Sequence, residues 1–306
     1  MILCCGEALI DMIPANDGKA FIPHTGGSVF NTAIGLGRQG IPTGLLSGIS
    51  RDLFGSQLHD ALRESNVETG YLIRSDRPTT LAFVKLVDGK ASYAFYDENT
   101  AGRMLSESDL PQHLSGKPKA LFFGGISLAV EPCAEAYLEF LLRHSPNHLV
   151  MVDPNIRPSF ITDEPRYRER LAHVLSRADI IKISEEDLDW ISRSEVSREM
   201  KVQSILEQGP SLVCLTRDSE GALIFDKNGV RAEASVSGVK VVDTVGAGDA
   251  FNAGILAMLH RGGNLSKASI AGISNDDLQN ALDFATAFAT DTVTRPGSDP
   301  AWNYTI

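Results

Sequence analysis

The chain has few cysteines, and they form no group that suggests a metal site. Four occur in 306 residues, at Cys4, Cys5, Cys133 and Cys214. None belongs to a Cys-x-x-Cys pair, and the seven histidines form no ligand cluster. We therefore expect reduced, mostly buried cysteines in a cytoplasmic protein and no structural zinc.

Long apolar runs and an excess of positive charge are also missing. No segment approaches the ~20 apolar residues of a membrane span. The N-terminal Met-Ile-Leu-Cys-Cys-Gly-Glu lacks the basic and apolar regions of a signal peptide. The net charge of −11 argues against a nucleic-acid or acidic-membrane partner. It does not argue against a nucleotide substrate, because a helix N-terminus and a bound metal act locally.

Apolar strands alternate with amphipathic helices along most of the chain, and 43% hydrophobic residues suffice for a large core. Strands are predicted at Ile2–Ile13, Thr43–Ser47, Ala120–Phe123, Leu149–Asp153, Ile180–Ile183 and Leu212–Thr216. Helices are predicted at Ser28–Arg38, Asp52–Ser65, Glu131–His144, Pro165–Arg177, Val196–Glu207, Ala250–Arg261 and Asp276–Thr290. This order predicts an α/β fold in a single domain, with a mostly parallel sheet and helices on both of its faces.

One segment interrupts the alternation. Thr80–Tyr96 contains two alternating strands around Asp88-Gly89, which is typical of a β-hairpin. With a further short strand near Lys19–His24, it predicts a small β-sheet beside the main one. Ligands of open α/β sheets lie beyond the C-terminal ends of the strands. The small sheet is therefore either a lid over such a ligand or an antiparallel edge without a function.

The segment Asp243–Gly254 (DTVGAGDAFNAG) is a glycine-rich turn that leads directly into a helix. The N–H groups of Gly246, Ala247 and Gly248 are expected to face an anion in front of that helix. Asp249 would repel the anion, so its position favours a general base that takes a proton from an attacking alcohol. A tight turn capped by an aspartate explains the same residues without catalysis.

A second glycine-rich segment lies near the N-terminus. In Gly26–Gly40 (GGSVFNTAIGLGRQG) a Gly-Gly pair opens a helix of small residues, and Asn31 falls one turn inside it. The two segments resemble the signature motifs of the ribokinase-like (PfkB) carbohydrate kinases, in the family's order and separation. The resemblance implies a ribokinase-like, doubly wound α/β fold with a β-sheet lid from about 14–25 and 71–104. In this family the lid covers the sugar and often forms a homodimer contact.

For the sugar, the resemblance implies contacts from three N-terminal segments. Asp11 matches the family's sugar-binding aspartate, and Gly26, Gly27 and Asn31 match its glycine and asparagine positions. A carboxylate and an amide suit a polyol, because both bind neighbouring hydroxyls. Taken singly, Asp11 is equally well a turn residue at a strand end, and Asn31 a polar residue at a helix start.

For the nucleotide, the resemblance implies residues of the second half. Asp153–Arg157 (DPNIR) resembles the Asp-x-Asn-x-Arg segment of fructokinases, in which Arg157 neutralises phosphate charge; a surface salt bridge is the alternative. Ser184–Asp187 (SEED) stands where ribokinase carries Asn-x-x-Glu near Mg²⁺. The segment leaves open whether Glu186 or Asp187 reaches the water molecules bound to the metal. An ordinary capped helix start explains the same residues without a metal. The residues expected at ATP are Asn155, Arg157, Ser184, Thr216, Gly221, Gly246, Ala247, Gly248 and Thr286.

Two further matches are less complete. Thr216–Gly221 matches the family's Thr-x-Gly-x-x-Gly segment, but Asp218 replaces the middle glycine, so a different local turn is expected. Asp243 and the carbonyl of Val245 resemble part of a monovalent-cation site. The rest of that site would come from main-chain oxygens around Thr292–Gly297, which suggests K⁺.

Among members of the family, the chain looks most like bacterial fructokinases. Where kinases of 2-keto-3-deoxygluconate place an arginine on the lid strand, this chain has Asp97, which suits a neutral sugar and repels an acid. Arg103 follows shortly after and would restore some positive charge. We therefore predict transfer of the γ-phosphoryl group of ATP, with Mg²⁺, to the 6-hydroxyl of D-fructose, with Asp249 as the base.

Other functions remain as alternatives. A kinase of 2-keto-3-deoxygluconate, ribose or a nucleoside would use the same motifs. A sugar-binding regulator without catalysis is disfavoured by the intact Asp249. A dinucleotide-dependent oxidoreductase is disfavoured because no Gly-x-Gly-x-x-Gly follows the first strand.

Overall fold

The computed structural model describes residues 1–15, 19–87, 90–236 and 238–306. The strands within these residues are β1 (Ile2–Cys5), β2 (Leu9–Pro14), β3 (Phe21–Gly26), β4 (Thr43–Leu46), β5 (Gly48–Ser50), β6 (Val67–Glu68), β7 (Ile73–Ser75), β8 (Leu81–Val87), β9 (Lys90–Tyr96), β10 (Ala120–Gly124), β11 (Leu149–Asp153), β12 (Ile180–Ser184), β13 (Leu212–Thr216), β14 (Ala222–Asp226) and β15 (Gly229–Ala234). The α-helices are α1 (Ser28–Arg38), α2 (Leu53–Glu64), α3 (Cys133–His144), α4 (Glu164–Leu175), α5 (Glu185–Ile191), α6 (Arg198–Leu206), α7 (Ala247–Arg261), α8 (Lys267–Ala271) and α9 (Asn275–Thr292).

The large sheet has the strand order β15-β14-β13-β12-β11-β10-β1-β4-β6. Its strands are parallel from β6 to β13, and β14 and β15 are added antiparallel at one edge. The parallel part needs a crossover between successive strands, and most of these crossovers contain a helix, as the alternating sequence pattern predicts.

Helices cover both faces of the large sheet, and each face has its own hydrophobic core. Cys4 packs into the core on the side of α1, α7 and α9, whereas Cys5 packs into the core on the side of α3, α4 and α6. This alternation follows from the period of two in a strand, and it is why the parallel strands are apolar on both faces. All four cysteines are buried and free, as predicted.

The single strand predicted at Ile2–Ile13 is wrong, because the chain changes sheets in the middle of this segment. β1 ends at Cys5 and pairs within the large sheet, whereas β2 begins at Leu9 and pairs with β3 and β8. A β-carbon on Gly6 would lie 2.5 Å from Val29, so the chain passes too close to α1 at this point for a larger residue. The apolar pattern continues across the break and hides it.

The second sheet has the order β3-β2-β8-β9. β8 and β9 form the predicted antiparallel pair, and β3 is the predicted additional strand, although it begins at Phe21. The turn residues Asp88 and Gly89 lie outside the described residues. In the described part of the chain, no helix combines the length and apolar character needed to cross a membrane.

Candidate active site

Asp249 lies in the first turn of α7, as predicted. The turn before it uses Gly246 at φ 81°, and a β-carbon there would lie 2.1 Å from Oγ of Ser298, so only glycine fits. Asp249 is 8% exposed, while Gly246, Ala247 and Gly248 are half-buried and accessible from the front of the helix. Burial raises the pKa of Asp249 to about 6.

Both carboxylate oxygens of Asp249 accept hydrogen bonds from the first turn of α1. Ser28 Oγ donates to Oδ1 at 2.7 Å, and Asn31 Nδ2 donates to Oδ2 at 2.9 Å. The two glycine-rich segments therefore meet at one carboxylate, although they lie more than 200 residues apart in the chain. Gly27 precedes α1 at φ 107°, which allows this sharp entry into the helix.

Asp11 lies on β2 against Gly26 of β3. A β-carbon on Gly26 would lie 2.1 Å from Asp11 Oδ2, so the carboxylate occupies the space that a larger residue would fill. The pKa of Asp11 is raised to about 7 by burial and then by the charges of Asp249 and Asp243. The structure thus brings Asp11, Asn31 and Asp249 together as acidic and amide groups of one site.

A buried ion pair lies behind the first turn of α7, and its lysine is not among the residues predicted from the sequence. Lys182 Nζ donates to Asp153 Oδ2 at 3.0 Å, and Asn252 Nδ2 of α7 donates to the same oxygen at 2.7 Å. A β-carbon on Gly248 would lie 3.1 Å from Lys182 Nζ. The signal that was available is a lysine in the otherwise apolar strand Ile180–Ser184.

The Ser184–Asp187 segment is a capped helix start, and its two acids lie in different environments. Ser184 Oγ accepts from the Asp187 N–H at 3.0 Å. Asp187 is buried and its Oδ1 accepts from the Ile156 N–H at 3.1 Å, whereas Glu186 is exposed. Burial and the charge of Asp153 raise the pKa of Asp187 to about 6. Of the two acids left open by the sequence, Asp187 is therefore the one that faces the interior of the site.

The DPNIR segment turns sharply after β11. Asn155 has φ 43°, in the left-handed region that asparagine tolerates better than most residues. Arg157 is half-buried, and its positive charge lowers the pKa of Asp187 and so opposes the rise caused by burial. The alternative of a surface salt bridge for Arg157 finds no support, because the described ion pairs do not include it.

Thr216 is the last residue of β13, Gly221 lies directly before β14, and Thr286 lies within α9. The turn after β13 has two positive φ angles, 45° at Asp218 and 96° at Gly221, and its difference from the family's turn stays a prediction. An aspartate adopts the left-handed conformation more readily than most residues, and it replaces the glycine here. Thr286 of α9 is buried, and its Oγ1 has no hydrogen-bond partner among the described residues.

Asp243 connects the turn before α7 to the end of the chain. Its Oδ1 accepts from the Val245 N–H at 3.0 Å, and its Oδ2 accepts from the Gly297 N–H at 2.8 Å. The two segments expected to form a cation site are therefore adjacent. No group of three or more His, Cys, Asp or Glu residues suited to a metal ion occurs within the described ranges.

Asp97 follows β9 and is paired with a positive charge. Arg103 donates to Asp97 Oδ1 at 3.0 Å, while Oδ2 is buried without a hydrogen-bond partner. Asp97 lines a small cavity with Glu7 and Ser127, and its described hydrogen bonds do not involve Asp11, Asn31 or Asp249. Burial raises the pKa of Asp97, and Arg103 opposes this rise.

Comparison with known proteins identifies the family of the chain. Residues 1–303 match the family described as pfkB family carbohydrate kinase. The chain belongs to the PfkB family of carbohydrate kinases. A fructokinase from Rhizobium leguminosarum bv. trifolii is 46% identical over 286 residues, which cover 92% of this chain and 87% of the relative. The predicted family and enzyme class are thus confirmed.

Two solved structures of fructokinases superpose on the chain. The fructokinase with bound ATP from Xylella fastidiosa has a TM-score of 0.89 at 28% identity, covering 97% of this chain and 93% of its own. A fructokinase double mutant from Vibrio cholerae O395, with fructose, ADP and a potassium ion bound, has a TM-score of 0.84 at 25% identity, with 97% and 93% covered. The predicted ribokinase-like fold is confirmed.

Proposed function

We propose that this protein is an ATP-dependent fructokinase that transfers the γ-phosphoryl group to the 6-hydroxyl of D-fructose. The observation that carries the proposal is Asp249, fixed by Ser28 and Asn31 directly behind the Gly246–Gly248 turn. A carboxylate at an anion-binding helix start suits a base that acts while phosphoryl charge develops. The 46% identical fructokinase and the relatives solved with ATP or fructose support these substrates.

The residues divide between sugar and phosphate. Asp11 accepts hydrogen bonds from the hydroxyls of the sugar, and Asn31 can both accept from them and donate to them. Asp249 takes the proton of the hydroxyl that attacks. The N–H groups of the Gly246–Gly248 turn face the charge that develops on the phosphoryl group, and Arg157 neutralises part of it.

Mg²⁺ fits this donor set as an ion that keeps most of its water. Asp187 offers a buried carboxylate beside the turn that carries Arg157, and an ion of this kind needs only one or two carboxylates besides the phosphates of ATP. When bound, Mg²⁺ neutralises phosphate charge before the sugar oxygen approaches.

A monovalent cation would lie between the turn before α7 and the end of the chain. Asp243 accepts from the N–H groups of Val245 and Gly297 and so brings the two segments together, and main-chain carbonyls of these segments would be the ligands of the ion. The potassium ion in the Vibrio relative supports K⁺ as this cation.

We also propose that the small sheet is a lid and a homodimer contact. Phe21 and Tyr96 are 46% and 64% exposed on one of its faces, and Phe83 packs between their rings, whereas Ile22, the next residue of β3, lies on the opposite face. Exposed apolar side chains in one patch are typical of an interaction surface. A single domain over the chain is supported by the family match to residues 1–303, and a cytoplasmic location by the free cysteines.

A kinase of 2-keto-3-deoxygluconate is the second candidate, because Arg103 neutralises Asp97 and weakens the repulsion of an acid. A coupled assay of ADP release with fructose, the keto-acid, ribose and nucleosides decides between them. We expect kcat/KM for fructose to exceed that for the keto-acid by at least ~10²-fold, and turnover to vanish with excess chelator. Equal use of the keto-acid would refute the fructose assignment and leave the kinase intact.

A further inference from the structure

The first turn of α1 has no capping side chain of its own. Gly27 precedes the helix and carries no side chain that could accept from its N–H groups. Glu7, from the link between β1 and β2, takes this place. Its Oε1 accepts from the Ser28 N–H at 3.1 Å, and its main-chain carbonyl accepts from the Phe30 N–H at 3.2 Å. A carboxylate from another element therefore satisfies donors that a helix start leaves unpaired.

Glu7 is fixed from its other side as well. Its Oε2 accepts from the N–H of Ser127 at 3.3 Å and from its Oγ at 2.8 Å. Gly125 has φ 67°, and a β-carbon there would lie 1.9 Å from Glu7 Oε1. Glu7 is 8% exposed, so its carboxylate is held by these protein partners and not by solvent. The position of Ser28 is set by this anchored carboxylate.

The backbone and the side chain of Ser28 have separate partners. The N–H binds Glu7, and the hydroxyl donates to Asp249 Oδ1 at 2.7 Å. An alanine would keep the first contact and lose the second. Asn31 supplies the donor to the other oxygen of Asp249, so each oxygen keeps a lone pair for a sugar hydroxyl.

We propose that Ser28 is a positioning residue for Asp249, and that Glu7 holds Ser28 in place from the link between β1 and β2. This rests on the proposed function, in which Asp249 takes the proton of the sugar hydroxyl. The hydroxyl of Ser28 favours the ionised carboxylate and fixes its orientation, because a donor to a charged acceptor makes a strong and directional hydrogen bond.

Several titratable groups from elements other than α1 also face Asp249. Lys182 of β12 favours its ionised form, whereas Asp153 of β11, and Asp11 of β2, oppose it; Tyr93 of β9 also faces it. Burial raises the pKa of Asp249 to about 6, and the hydrogen bonds from α1 limit this rise. Removal of one of these bonds therefore moves the pKa upwards, and the active form of the base is lost at a higher pH.

The test uses Ser28→Ala and two readouts. The pKa of Asp249 is followed by ¹³C NMR of its carboxyl group in the free protein, with Asp249→Asn for assignment. We expect a rise of about one pH unit. For the sugar that the wild type phosphorylates, the acid limb of the pH profile of kcat/KM should move by the same amount. At pH values below the limb kcat/KM should fall about tenfold, and at pH values well above it kcat/KM should change little.

Two further variants complete the test. Ser50→Ala is the control, because Ser50 is also buried but its hydroxyl accepts from the Asp52 N–H and makes no contact with Asp249. Glu7→Gln should shift the limb in the same direction as Ser28→Ala and also lower Tm. If Ser28→Ala does not fold, Ser28→Cys keeps the side-chain size with a much weaker donor.

The proposal would be overturned if a folded Ser28 variant left both the pKa of Asp249 and the acid limb of kcat/KM unchanged. A fall in Tm without these shifts would mean that Ser28 has only a structural role. The NMR titration needs no substrate. A wild type that phosphorylates no sugar would therefore refute the proposed function, while the titration still decides whether Ser28 sets the state of Asp249.

Discussion

The ammonium group of Lys182 lies 3.0 Å from Oδ2 of Asp153, and the two side chains are 6% and 1% exposed. Burial lowers the pKa of a lysine, yet the pKa of Lys182 is raised, because Asp153, Asp187 and Asp249 all favour its charged form. Lys182 is thus the buried cation among the carboxylates behind the Gly246–Gly248 turn.

The first prediction is that Lys182→Met destabilises the protein. Asp153 is then left buried without its cation, so the free energy of unfolding should fall by about 3–5 kcal/mol in urea denaturation. A double variant with Asp153→Asn removes the unpaired charge and should recover part of the loss. A Lys182→Met protein as stable as the wild type would contradict this view of the pair.

Gly26→Ala is predicted to impair the sugar site without unfolding the protein. Its β-carbon would lie 2.1 Å from Asp11 Oδ2, so the carboxylate must move away from its position. We expect kcat/KM for fructose to fall at least ~10-fold, mainly through KM, while KM for ATP stays close to its wild-type value. Gly70→Ala is the matched control, because a β-carbon on Gly70 meets no atom within 4 Å. Unchanged kinetics of Gly26→Ala would place the sugar elsewhere.

The extent to which the sequence predicted this site depended on the kind of residue. The turns at Gly26–Asn31 and Gly246–Asp249 were recognisable because glycines and one polar residue stand out in a helix start. Lys182 is a single charged residue within an apolar strand, Glu7 lies just after one, and the partners of both come from distant segments. The break after Cys5 was missed because a strand that changes sheets keeps its apolar pattern.

Asp97 illustrates a further limit of the sequence. The contact of Asp97 with the sugar stays a prediction, whereas its direct ion pair with Arg103, six residues later, was not predicted. Side-chain pairing across a loop depends on the path of that loop, which composition and periodicity do not determine. The part of the fold set by alternating strands and helices was, in contrast, predicted with bounds within a few residues for most elements.

Asp11→Asn is predicted to stabilise the protein in a pH-dependent way. The pKa of Asp11 rises from 3.8 to about 7 on folding, so between these values the folded protein binds more protons than the unfolded chain. Stability contributed by this group therefore falls as pH rises through that range. The gain in Tm of Asp11→Asn over the wild type should be larger above about pH 7 than near pH ~5.

The exposed Asp76, which pairs with Arg51 at the surface, supplies the control for this measurement. Asp76→Asn should give no such pH-dependent gain. The same gain for Asp11→Asn at both pH values would mean that the charge of Asp11 is not what limits stability. Activity with fructose should fall in this variant at every pH, since Asp11 is proposed to bind the sugar.

A fourth prediction concerns the cation. Potassium should raise ATP turnover more than sodium, and Asp243→Asn should remove the difference, because Asp243 holds the Val245 and Gly297 segments together with its charge. Rates are compared in buffers carefully freed of potassium. Equal rates of the wild type in potassium and sodium would remove the cation site and leave the kinase proposal unchanged.

The most direct test of the account is the turnover of Asp249→Asn with fructose and ATP. Asparagine keeps the shape of the side chain and loses the ability to take a proton, so kcat should fall by at least ~10²-fold while ATP affinity is nearly kept. Circular dichroism and Tm of the variant confirm that it is folded. A folded Asp249→Asn enzyme that keeps more than about a third of the wild-type kcat would contradict the assignment of Asp249 as the base.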